Sequence, residues 1–264
     1  MDPVEAFRAA DSAVAVVGAG GKKTTMYALA GRTDRSIVTS SVRIPIFDDQ
    51  VTRVETTSDP TSTAATAPDD AFPLGVVPER EREDRYHGYD VDVVDELIAA
   101  HDGPVFIKAD GARLRDFKAP NGREPQIPSA VDVVVPVASA SVVGEPLADA
   151  LVHRPERVAR VARDADVDVA VGEPITPELV GAVLASPDGG LKGVPGSATA
   201  IPLVNKVDDE ERAETARAIA TAFRRRIDER HDETAGDSAI DVPHVVLARM
   251  IDATIVETVA VRGQ

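Results

Sequence analysis

The sequence predicts an α/β fold: a mainly parallel sheet with helices on both faces. Three observations carry that expectation. Apolar runs of strand length alternate along the chain with stretches whose apolar residues recur at helical spacing, the order that builds a parallel sheet. One run, Val131 to Val137, is almost pure valine and reads as a strand buried on both sides. Another, Ala13 to Val17, passes through glycines into a helix, as the first half of a βα unit does.

Taken in order, Ala13 to Val17 is the first strand, Thr24 to Ala30 the helix after it, and Ser36 to Thr39 the second strand. From Phe47 to Asp90 the pattern breaks into Thr, Ser, Pro, Asp and Arg/Glu clusters, with short apolar pieces at Val51 to Val54 and Leu74 to Val77. This predicts a long polar excursion over the surface around 47–90, with room for a hairpin. Val91 to Ala100 has helical spacing and Pro104 to Ile107 is a strand. Helices are expected around Glu145 to Val152, at Pro155 to Arg163 and at Pro177 to Ala185. Ile201 to Val204 reads as a strand, Asp208 to Asp228 as a long helix, Asp228 to Asp241 as a polar mobile loop, and Pro243 to Leu247 as a late strand. With no repeat or linker, residues 1–264 are expected to form one domain.

Composition limits the function. Asp and Glu total 45 against 29 Lys and Arg, a net charge of -16. Such a balance argues against nucleic acid as a partner and fits a carboxylate-rich, halophilic surface on which salt screens the self-repulsion. Without cysteine there is no disulfide, thiol nucleophile or thiolate metal site. No apolar run is long enough for a membrane span, and residues 1–10 lack the pattern of a secretory signal, so a cytoplasmic protein is expected. Only six of the 29 basic residues are lysines, and five of them fall in the motifs below; Lys192 alone does not.

The first motif is Gly18-Ala19-Gly20-Gly21-Lys22-Lys23-Thr24-Thr25. Strand, glycine loop, lysine, hydroxyl and helix is the order of a phosphate cradle, in which glycines bring backbone N–H groups to the anion and the helix start adds its positive end. A lysine reaches the β- and γ-phosphates and a threonine hydroxyl, Thr24, holds Mg²⁺. The loop is shortened, closer to GxxGK than to GxxxxGK[ST], and it carries two lysines for one task. If Lys22 grips phosphate, Lys23 stands where the hydroxyl should be; if Lys23 does, Lys22 replaces a glycine. The place of the hydroxyl favours Lys23, with Lys22 adding charge at the loop mouth, and both stay candidates for catalysis. A glycine-rich turn capping an ordinary helix is the competing reading.

The second motif, Asn205-Lys206-Val207-Asp208, follows a strand and matches the N-K-x-D of GTP-binding proteins. There the Asp accepts from guanine N1–H and its 2-amino group, the Lys stem lies along the base, and the Asn fixes the loop. The competing role for Asp208 is to cap the next helix. Between the two motifs, VFIKADGARLRDFKAP places Asp110 at a strand end, as a Walker B carboxylate that holds Mg²⁺. Lying outside the apolar run, Asp110 is expected to be replaceable without loss of the fold. Arg113, Arg115 and Lys118 follow and suit an anionic second ligand. Thr39, Ser40 and Ser41 are placed to line the metal site or to serve a turn.

These blocks, together with EPQIP at Glu124 to Pro128 and VHRPERV at Val152 to Val158, resemble the YqeC-type proteins, described as accessory proteins of selenium-dependent molybdenum hydroxylases. The resemblance implies a three-layer P-loop NTPase-like fold and a role in maturing a molybdenum enzyme, with that hydroxylase or its cofactor as partner. It adds Glu124, His153 and Arg154 as residues for a second ligand. Two departures stand out: the doubled lysine, and Lys108 where the family has an acidic residue. The expected function is therefore binding or hydrolysis of a purine nucleoside triphosphate with Mg²⁺, GTP before ATP. The alternatives are a regulatory module without turnover and a kinase or ligase for a small anionic substrate.

Overall fold

The computed structural model describes residues 1–233 and 240–261. In chain order these form α1 (Pro3–Ala6), β1 (Ala13–Gly18), α2 (Lys22–Ala30), β2 (Ile37–Ser40), β3 (Ile44–Pro45), β4 (Arg53–Thr56), α3 (Pro60–Thr66), β5 (Leu74–Val77), β6 (Arg80–Arg82) and β7 (Arg85–Tyr86). Then come α4 (Val91–Ala100), β8 (Val105–Lys108), β9 (Phe117–Lys118), β10 (Val133–Ser139), β11 (Val152–His153), α5 (Pro155–Arg163) and α6 (Pro177–Ala185). The chain ends with β12 (Thr199–Ala200), β13 (Leu203–Asn205), α7 (Glu210–Glu233), β14 (His244–Arg249) and β15 (Thr254–Ala260).

The main sheet runs β15-β14-β13-β10-β1-β8-β2-β5-β4, with β12 beside β10. Its pairs are parallel except β14 with β15. Alternation along each strand divides the core: Val14 and Val16 pack with Phe7, Met26 and Leu29 of the α1–α2 side, while Ala13, Ala15 and Val17 pack with Val94 and Leu97 of α4. Farther along, Val204, Val245 and Leu247 meet Leu179, Val183 and Phe223 of α6 and α7. Helices thus cover both faces, the three-layer α/β architecture of P-loop NTPase-like folds. From β1 the chain winds toward β4, then returns through β8 and crosses β1 to β10. The carboxyl ends of β1, β8, β10, β13 and β14 share one edge at that reversal, where open α/β sheets hold ligands.

Four local expectations change. The polar stretch 47–90 supplies β4 and β5 to the main sheet, because the four buried residues of β5 can pair with β2 and β4 while the Thr and Asp residues go to turns and to α3, capped by Asp59. Glu145 to Val152 is not helical: the Gly144 and Leu147 N–H groups bond to the Ile175 and Glu173 carbonyls, and that tertiary pairing replaces the helical ladder. Helix α7 continues to Glu233, beyond the expected end; the remainder of the expected loop, 234–239, lies outside the described residues. Finally, α2 starts at Lys22, which brings both lysines into its first turn.

Candidate functional site

β1 and α2 are joined by a loop in which Gly18, Gly20 and Gly21 have φ of 90°, 94° and 133°. A side chain there would meet the protein itself: the Val137 carbonyl at Gly18, the Asp116 carbonyl and Ser139 at Gly20, and the Asn205 amide at Gly21. The loop N–H groups are also engaged internally. Gly18 donates to Asp110 Oδ2 (2.8 Å), Ala19 to the Val137 carbonyl (2.9 Å) and Gly20 to the Arg115 carbonyl (3.1 Å). The first intrahelical bond runs from Thr25 N–H to the Gly21 carbonyl, so the N–H groups of Lys22, Lys23 and Thr24 are the donors left over at the helix start.

The two lysines part company. Lys22 is buried, donates to the Gly18 carbonyl and lies 2.7 Å from Asp110 Oδ1. It does not stand at the loop mouth as the sequence suggests. Burial pulls its pKa down, against the pull of Asp110. Lys23 is half-buried, has no hydrogen bond or ion pair among the described residues, and lines a cavity of about 570 Å³ together with Thr24. Burial lowers its pKa too. The Thr24 hydroxyl is likewise unpartnered, whereas Thr25 is buried and its hydroxyl bonds back to the Gly21 carbonyl (3.1 Å).

Asp110, at the end of β8, is fully enclosed between two ammonium groups, Lys22 and Lys118; Lys118 Nζ lies 2.9 Å from Oδ2. Burial alone would raise its pKa, but the two lysines outweigh this and hold it below the usual range. Its Oδ1 has no aligned hydrogen bond despite the ion pair. Lys118, expected to grip a second ligand, is buried instead and also binds the Gly111 carbonyl (2.6 Å) and Glu124 (3.1 Å). Glu124 in turn pairs with Arg154 (2.7 Å), and despite its own burial these cations depress its pKa. His153 stands beside Arg154, Lys118, Glu124 and Arg113; burial, then Arg154, pushes it down to about 4, so it is neutral at pH 7. Arg113 is exposed and, like Arg154, left-handed in backbone, with φ of 48° and 65°. Arg115 contributes its carbonyl to Gly20.

Sequence reasoning gave no role to Lys108. It is buried, its ammonium reaches only the Arg43 carbonyl (2.7 Å), and burial with Lys22 nearby pushes its pKa to about 7. Scarcity of lysine and the departure from the family pattern at this position were its signals. Lys192, outside every motif, holds the Asn121 carbonyl (2.6 Å) ahead of Glu124. Thr39 and Ser40 are buried and bond the Val76 and Lys108 carbonyls (2.9 and 2.8 Å); Ser41 bonds the Gln126 carbonyl.

On the other side of the loop, Asn205 clamps two segments. Its amide donates to the Gly20 carbonyl (2.8 Å) and accepts from Met250 N–H (2.9 Å). Lys206, with φ of 60°, pairs with Asp116 (2.6 Å). Asp208 is exposed and makes no hydrogen bond or ion pair among the described residues, its charge acting on Arg249, and the helix cap falls to Asp209, whose carboxylate accepts from Arg212 N–H (2.8 Å). No three His, Asp or Glu side chains among the described residues are grouped as a metal site.

Fold and site together define an α/β protein with a glycine loop and a polar helix start at the carboxyl edge of its sheet. Comparison with protein families places residues 14–156, more than half of the chain, in the family of YqeC proteins, and the chain belongs to that family. The match spans the glycine loop, Asp110, Lys118, Glu124, His153 and Arg154; Asn205 to Asp208 lie beyond it. Among curated proteins nothing matches. No helix among the described residues is long and apolar enough to cross a membrane.

Proposed function

We propose that the protein is a cytoplasmic accessory factor in the maturation of a selenium-dependent molybdenum hydroxylase, and that it takes a purine nucleoside triphosphate with Mg²⁺, guanine favoured, at the carboxyl end of β1. The maturation role rests on membership of the YqeC family. The nucleotide role rests above all on one observation: the Lys23 ammonium and Thr24 hydroxyl, unpaired among the described residues, line a single cavity at a helix start whose N–H groups have no partner among those residues either. Asn205, which ties the glycine loop to Met250, gives that helix start a fixed position.

The residues fit the absent group. Phosphate oxygens suit the N–H groups of Lys22 to Thr24 and the Lys23 ammonium. For Mg²⁺, the Thr24 hydroxyl is an acceptor without a hydrogen bond among the described residues, whereas Asp110 Oδ1, 2.7 Å from the Lys22 ammonium, would serve only by exchanging that partner for the ion. The ion would supply charge neutralisation for the phosphates when bound. Lys118 and Lys22 hold the Asp110 carboxylate ionised and in place. One observation favours a second reading, nucleotide binding without turnover: both Asp110 oxygens already face ammonium groups, and no side chain at the helix start is placed as a general base. The exposed Arg113 beside His153 and Arg154 supports a third, transfer to a small anionic acceptor. Incubation with GTP or ATP and Mg²⁺, followed by product analysis, separates them. Free phosphate means hydrolysis, a modified acceptor means transfer, and unchanged but bound nucleotide means a regulatory module. Absence of binding by either nucleotide would overturn the proposal.

A further inference from the structure

Beside α2 the protein leaves a cavity of about 570 Å³, well within the range of small-molecule sites. Its lining includes Lys23 and Thr24 in the first turn of α2 and a second cation, Arg32, just past that helix. The middle is formed by Tyr27 and Ala28, one helical turn further on, and faces Ile46. The far wall is the turn after β14, from Met250 to Ala253. One feature of these walls lacks an internal explanation. Ile251 leaves 79% of its surface exposed on the rim of the cavity, where a branched apolar side chain gains nothing from water.

We propose that this cavity is the seat of the nucleoside, with phosphates toward Lys23 and Thr24 and the base against the Ile251 turn. The proposal rests on the nucleotide reading above and adds to it a place for sugar and base. An apolar flank with carboxylates and an amide at its edge is the pattern that holds an aromatic, donor-bearing ring. Asp252 in the far wall is oriented by Arg249 at 2.6 Å, so one carboxylate there is fixed in position. Asn205 accepts from the Met250 N–H and donates to Gly20, so the base wall and the phosphate loop are set by one side chain. Asp208, by contrast, is not part of the wall.

The test compares GTP with inorganic tripolyphosphate, which carries the phosphates without a nucleoside, by calorimetric titration in Mg²⁺. In the parent protein GTP should bind at least about tenfold more tightly than tripolyphosphate. Ala28→Phe, which pushes a ring into the cavity beside Tyr27, should remove that advantage while leaving tripolyphosphate affinity within about twofold. Ile251→Ser alters an exposed side chain and leaves the core intact, and it should weaken GTP alone by about threefold or more. If GTP affinity is unchanged in both variants, or the parent holds tripolyphosphate as tightly as GTP, the nucleoside site is wrong and the phosphate site stands. A parent that binds neither overturns both.

Discussion

Lys22 and Lys23 are neighbours in the chain and stand in two different environments. With 3.6 residues per turn, consecutive side chains leave a helix about 100° apart, so one first turn must send them to different sides. On the Lys22 side Lys22, Asp110, Lys118, Glu124 and Arg154 form one chain of ion pairs, largely shut off from solvent. On the Lys23 side the Lys23 and Thr24 groups are unanswered among the described residues and open to a cavity a third of whose lining residues lie outside residues 14–156. The paired side shapes the loop. The unpaired side has capacity left for a ligand, and a doubled lysine provides for both.

The largest effect should come from breaking the paired side. Asp110→Ala leaves two buried ammonium groups without their counter-charge, which costs about 3–5 kcal/mol. Urea unfolding should register that loss. This reverses the expectation that a strand-end carboxylate is dispensable for folding. Asp110→Ala combined with Lys22→Met should recover part of the stability, because one orphaned charge is removed with its partner. A single variant as stable as the parent would show that the cluster does not hold the loop.

Lys108 borders the paired side without an ion pair of its own and gives the next effect, of which about 3 kcal/mol should change between pH 6.5 and 9.5. Its pKa is about 7 in the folded protein against 10.5 in a free lysine. Below pH 7 both states are protonated and the cost of burying the ammonium is present in full. Between about 7 and 10.5 the unfolded chain binds the extra proton, so this contribution to stability rises with pH. Lys108→Met should be more stable than the parent at pH 6.5, with the gap narrowing by pH 9.5. A gap independent of pH would mean that Lys108 stays charged when buried.

The strands around the site were legible because their signal is local: β1, β8 and β10 are short apolar runs, and β1 leads into glycines. Asp110 could be placed from its strand, but its partners could not, since Lys22 arrives from the start of α2 and Lys118 from β9, and nothing in the local pattern aims either at Asp110. Glu145 to Val152 looked helical because Leu147, Leu151 and Val152 have helical spacing, a pattern that carries no information about the Glu173 and Ile175 carbonyls. β4 was hidden because an edge strand with half-exposed residues reads like its polar neighbours. β15 escaped for the same reason, its residues alternating between half-buried and exposed. The 250–253 wall of the cavity has no motif at all.

A third measurement sharpens the contrast between the lysines. Lys23→Ala should weaken triphosphate binding about tenfold, with the loss persisting at high salt because the ammonium is half-buried. Lys22→Ala should act mainly on stability, leaving the Asp110 carboxylate to Lys118 alone. The reverse assignment would follow if Lys22→Ala abolished binding in a protein of unchanged stability. In that case nucleotide must draw Lys22 away from Asp110, and the paired side would be part of the phosphate site.

The smallest effect is expected at Asp208. Its carboxylate is exposed and outside the cavity wall, so a contact to base from there is made in water and is worth less than about 1 kcal/mol. Asp208→Asn should therefore change the affinity for either nucleotide by less than about fivefold. Equal, salt-sensitive losses for both nucleotides would show that Asp208 acts through its charge alone. A much larger, guanine-specific loss would place the base over the Lys206 side of the loop. The nucleoside would then lie outside the cavity, and the open side of the molecule would have to hold something else.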